Sequence, residues 1–101
     1  MKKVYLVSER LYRRAFYAEP YEEECVIKAF DDYHKTVSYI YETIKEAHRQ
    51  LDESGDDLTY YHKHEPNLDK FVEGHYITSL EYDNGNSYDS VSYRFKSYDV
   101  E

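Results

Sequence analysis

The sequence predicts an α+β fold: an antiparallel sheet of about four to five strands, with one long amphipathic helix packed on one face and a short second helix. Three observations predict it. Apolar side chains recur at helical spacing from Tyr33 to Leu51, other stretches alternate with a period of two, and Asn84-Gly85 separates two such stretches as a hairpin turn would. At 101 residues the chain is expected to be a single globular domain, residues 1–101, with room for one modest core.

The first element is "KVYLVS" (Lys3–Ser8), a strand with Val4 and Leu6 on one face and Tyr5 and Val7 on the other. Residues 9–24, "ERLYRRAFYAEPYEEE", follow as a long loop. "ECVIKAF" (Glu24–Phe30) is the second strand, and its small apolar side chains Cys25, Ile27 and Ala29 suit a helix packed closely above them. That helix carries the stripe Tyr33, Val37, Ile40, Ile44, Ala47 and Leu51. Asp31 or Asp32 supplies the N-cap, and Gly55 stands where a left-handed stop is expected. Its other face mixes Lys35, Glu42, Lys45, Glu46, Arg49 and Glu53, with Arg49 and Glu53 four apart, as solvated helix faces do.

Leu58–His64 reads as a third strand, and "PNLDKFVEG" as one or two helical turns starting at Pro66, with Leu68, Phe71 and Val72 on one side. The chain closes with a hairpin. A two-residue turn at Asn84-Gly85 pairs Leu80 with Asp89, Thr78 with Val91 and Tyr76 with Tyr93, a face that continues to Phe95. The other face then takes Ser79 with Ser90, Ile77 with Ser92 and His75 with Arg94, so apolar and polar sides separate.

Aliphatic side chains are sparse, and the 14 tyrosines are expected to do much of the core work, each burying a ring while its hydroxyl reaches a partner. Cys25 is the one cysteine, which excludes an internal disulfide and a thiolate-rich zinc site and suits a small buried hydrophobe. No apolar run approaches transmembrane length and the N-terminus has no signal-like apolar segment, so a cytoplasmic protein without membrane contact is expected.

Few residues suggest catalysis. His62 and His64 lie on one side of a strand, a spacing that metal sites use, and His75 or Glu65 would complete a set. His62-Lys63-His64 resembles the His-hydrophobe-His motif of single-strand nucleases with a tyrosine nucleophile, but Lys63 replaces the hydrophobe and "DKFVEG" has no tyrosine. Surface histidines on an edge strand are the simpler reading, and neither a metal nor another cofactor is expected. No phosphate-binding glycine loop or nucleophile–base order is present, and a non-enzymatic protein is expected.

Net charge is −8, spread unevenly. Residues 1–14 hold five Lys or Arg against Glu9 alone, so the rest of the chain is strongly acidic. Arg10, Tyr12, Arg13 and Arg14 offer a nucleic-acid contact, with Phe16 and Tyr17 beside them and Lys28, Arg94, Lys96 and Tyr98 on a sheet face. The surrounding field opposes phosphate, and pairing of these arginines with Glu19 and Glu22–Glu24 is the alternative. Asp52, Glu53, Asp56 and Asp57 with Tyr60 and Tyr61 make an acidic, aromatic patch suited to a basic protein surface. The same acids would also serve solubility alone.

"KVYLVS", "VIKAFDD" and "LDESGDD", as a style of sequence across the chain, resemble the small acidic, tyrosine-rich accessory proteins of bacteriophages and mobile elements, among them anti-CRISPR inhibitors. The resemblance carries no functional residue. It implies an inhibitor or adaptor in a bacterial cytoplasm that occupies a basic nucleic-acid-handling protein, such as a CRISPR effector nuclease or its nucleoprotein complex. A monomer or a homodimer fits, since sheet edges can pair.

Overall fold

The computed structural model describes residues 2–15, 18–55 and 57–100. Its strands are β1 (Lys2–Ala15), β2 (Tyr21–Phe30), β3 (Tyr61–Lys63), β4 (Ile77–Asp83) and β5 (Ser87–Val100), with the helix α1 (Tyr33–Glu53) between β2 and β3. They form one antiparallel sheet in the order β2-β1-β5-β4-β3. The α+β class, the long helix and the five strands agree with expectation.

Tyr5 and Val7 share a sheet face with Val91, Tyr93 and Phe95, and α1 closes that face with Val37, Ile40 and Ile44. The alternation in "KVYLVS" separated the faces as observed, and the structure turns Tyr5 and Val7 inward. On the helix, Asp32 caps the N-terminus by accepting from the Lys35 amide at 2.9 Å, and Gly55 at φ 77° follows the last turn. The buried stripe runs Thr36, Val37, Ile40, Ile44 and His48, while Tyr33 stays 41% exposed and Ala47 and Leu51 are half-buried.

The helix does not run along the strands. At its start Tyr33 sets its ring edge-on to Tyr5 and Phe95, at centroid distances of 6.2 and 5.9 Å. Towards its end the His48 Nε2 lies 2.8 Å from the Ser79 carbonyl on β4, and Lys63 on β3 donates to Asp52 at 2.6 Å. It therefore passes obliquely from β1 and β5 near Tyr5 and Phe95 to β4 and β3 near Ser79 and Lys63. Because β1 and β5 each have 14 residues, their other half continues past the helix uncovered.

Several expectations need correction. Residues 9–24 are not a long loop: β1 continues to Ala15 and β2 begins at Tyr21. The stretch has no glycine and no proline before Pro20, and its Arg, Leu and Tyr side chains alternate between faces while β5 and β2 satisfy the backbone on both sides. Cys25 is exposed, and Cys25, Ile27 and Ala29 do not share a covered face. A register shift places Val7 opposite Lys28 but Ser8 opposite Val26, so Ile27 bulges; Cys25 then shares Glu9's face and Ala29 that of Leu6.

The β4–β5 turn is longer than two residues, with Asp83 paired to Tyr88. The Asn84 Oδ1 accepts from the amides of Asn86 and Ser87, each at 2.8 Å, and Gly85 takes φ 86°. This moves the register by two. That sets Leu80 opposite Val91, and a further shift between Thr78 and Leu80 sets Ile77 opposite Tyr93, so Ile77 replaces Tyr76 on the core face. The short second helix is only a 3₁₀ turn, Leu68–Lys70, capped by Asn67; Phe71 is buried, whereas Leu68 and Val72 are exposed. The third strand shortens to Tyr61–Lys63, flanked by hydrogen bonds from His64 N to Ser79 O and from Asp83 N to Tyr60 O, both 3.0 Å.

Candidate functional site

Arg10 and Arg94 stand on the face away from the helix, and each meets a β2 carboxylate. Arg10 Nε donates to Glu22 at 2.5 Å, and Arg94 donates to Glu24. The Arg10 guanidinium lies 5.2 Å from the Tyr12 ring centre and 5.0 Å from that of Tyr76, and Arg94 lies 4.7 Å from Tyr76. The bond from Arg10 holds the Glu22 carboxyl below its usual range and raises the Arg10 guanidinium in return. Burial works against ionisation of Glu24, but Tyr76 and Arg94 outweigh it, and its carboxyl also stays low. These arginines are already spent on their own chain.

The other residues proposed for nucleic acid separate between faces. Tyr12 and Arg14 share Arg10's side of β1, with Tyr12 edge-on to Tyr88 at 6.0 Å. Arg13 lies on the helix side, its Nε 3.7 Å from Asp89. Arg14 has no ion-pair partner among the described residues. Phe16 and Tyr17 lie outside the described residues.

The acidic and aromatic patch forms where α1 hands over to β3. Asp52 accepts from Lys63, Glu53 accepts from Arg49 at 2.7 Å, and Asp57 accepts from the amide and hydroxyl of Thr59. Thr59 thereby lowers the Asp57 carboxyl. Asp56 lies outside the described residues. Tyr60 and Tyr61 both pack edge-on to Tyr82, at ring distances of 6.1 and 5.0 Å. The structure thus brings the two tyrosines together on a third, Tyr82, that the sequence reading did not single out.

Tyr61 and Tyr82 also wall a groove of about 380 Å³ on the uncovered half of the helix-side face. Leu80 and Val91, opposite each other in register, contribute the apolar part, and Arg13 and Asp89 close one side. Leu11, paired with Val91, is 36% exposed beside it. These residues escaped notice because the two-residue turn set Leu80 against Asp89. The Asp83-Asn84-Gly85-Asn86 run, with side-chain acceptors able to cap a wider turn, was the signal that could have corrected the register.

On the opposite face His64 Nε2 lies 2.5 Å from Glu81 Oε1, and Tyr88 donates to Glu81 Oε2 at 2.6 Å. Tyr88 holds the Glu81 carboxyl low against partial burial, with His64 adding to the effect. His62 pairs with Glu81 in the strand register. Among the described residues no group of three or more His, Cys, Asp or Glu is placed to hold a metal ion. Nor is any described helix long and apolar enough to cross a membrane.

No protein-family model, no curated protein and no solved structure matches this chain.

Proposed function

We propose that this protein is a non-enzymatic protein-binding inhibitor or adaptor that covers a basic, nucleic-acid-binding surface of a bacterial protein, in the cytoplasm of the host cell. One observation carries the reading: the arginines of β1 and β5 are largely neutralised by carboxylates of the same chain. Arg10 is held by Glu22 and Arg94 by Glu24, and Arg13 faces Asp89 more loosely at 3.7 Å. Internal pairing leaves the surplus of a chain with net charge −8 facing outward. A surface of that sign attracts cationic grooves built for phosphate. The family resemblance names a CRISPR effector nuclease as one such partner, phage or mobile elements being the source.

Asp52, Glu53, Asp56 and Asp57 supply the charge and Tyr60 and Tyr61 the contact area. Partners are captured from bacterial lysate, with nuclease treatment to remove nucleic-acid bridges, and the affinity of the captured protein is then measured. Reversing the four acids to Lys is expected to weaken binding at least tenfold while the fold survives, and raising salt weakens the wild type. Affinity that ignores both changes sinks the electrostatic reading.

A second reading, a small RNA- or DNA-binding protein, is favoured by one feature. Arg14 and Lys96 form no ion pair among the described residues, and Tyr98, two residues beyond Lys96 and on the same face, is 50% exposed on the open back of the sheet. It predicts slowed migration of single-stranded RNA or DNA at low salt, lost in Arg14→Ala/Lys96→Ala.

A further inference from the structure

The sheet face that carries the core is only half used. Near Tyr5, Val7, Tyr93 and Phe95 it lies under α1. The same strands, 14 residues and so about 46 Å long, carry on beyond the helix with the same alternation. There the face presents Leu11, Val91 and Leu80 in one cross-strand row, with the paired Tyr61 and Tyr82 in the next. A helix about 10 Å wide fits on that remaining length. By register, Glu23 and Asp89 stand on this open part against Arg13. Lys63, also on this face, is held by Asp52.

We propose that this open half-face docks an amphipathic, basic helix of the protein partner, its apolar stripe seated on Leu11, Leu80 and Val91 and one cationic side chain replacing Arg13 at Asp89. The inference rests on the protein-binding reading above and names the partner's chemistry. Charge complementarity selects a basic segment, since carboxylates outnumber free cations around an apolar floor. The Arg13–Asp89 pair is the replaceable part. At 3.7 Å it is long, and the Arg13 side chain is 73% exposed, so its internal hold on Asp89 is weak. A partner arginine laid across the groove makes the same contact from a position anchored by apolar burial.

The test uses two labelled synthetic 16-residue peptides of equal positive charge, one with leucines at i, i+3, i+4 and i+7 on a helical frame, the other with glycines in their place. The leucine peptide is expected to bind at least tenfold tighter, and to shift amide resonances of Leu11, Leu80 and Val91. Arg13→Ala tightens binding about threefold by freeing Asp89, whereas Arg14→Ala, the same charge change on the other face, leaves it unchanged. Leu11→Asn with Tyr61→Ala weakens it at least tenfold, circular dichroism confirming the fold.

Equal binding of both peptides, with shifts around Asp52 and Asp57 instead, overturns the groove and leaves the acidic surface standing. Binding of neither overturns both readings. A dimer in solution that Leu11→Asn converts to monomer assigns this face to a second copy and overturns the proposal, as does displacement of the leucine peptide by single-stranded RNA.

Discussion

Tyr93→Phe removes one oxygen from the middle of the core. The ring is 4% exposed, and its hydroxyl donates to Glu9 Oε2 at 3.0 Å, across 84 residues of sequence. Burial first, and then Glu9, push the phenol well above its ordinary value, so it stays protonated and able to donate. A hydrogen bond to a charged acceptor is worth about 1.5–3 kcal/mol, and the half-buried carboxylate regains water when the donor goes, which selects the lower end. The expected loss is about 1.5 kcal/mol with no change in packing, or roughly 6–8 °C in Tm for a domain of this size. Urea unfolding of wild type, Tyr93→Phe, Glu9→Gln and the double variant measures it. The cycle is expected to return a coupling of about 1 kcal/mol. A Tyr93→Phe loss below about 0.3 kcal/mol, or additive single variants, refutes the idea that this bond pins β1 to β5.

Phe95→Ala, at a side chain 1% exposed, is expected to cost about 3–5 kcal/mol and to lower the urea midpoint more than any variant above; a loss under about 1 kcal/mol would mean the core is elsewhere. Arg10→Ala is expected to lower stability by releasing Glu22 and two aromatic rings, while Arg14→Ala leaves the urea midpoint in place; equal effects would contradict internal pairing. Glu81 gives a pH dependence. Its folded carboxyl titrates below the unfolded value of about 4.5, so its contribution is full above that pH and disappears as pH falls through the folded value. Urea midpoints between pH 5.5 and pH 3 should therefore fall less steeply in Glu81→Gln than in the wild type, and parallel slopes would show that Tyr88 and His64 do not hold the ionised form.

Much of the fold was legible because it is written in short-range periods. The helix from Tyr33 onward, its capping aspartate pair, and the two-faced alternation of "KVYLVS" depend only on neighbours within a few turns or strand positions. The acidic excess is likewise a property of the sequence alone. What stayed hidden depends on partners far along the chain. Residues 9–15 became strand because β5, some 80 residues later, pairs with them, and their arginines found Glu22 and Asp89 only once that register was set. The bulge at Ile27 split Cys25 and Ala29 between faces by breaking an alternation that looked regular in one dimension, and Cys25 is exposed on the edge strand β2. Even the groove is a difference between two lengths: strands that run past the helix lying across them, a mismatch that no local pattern records.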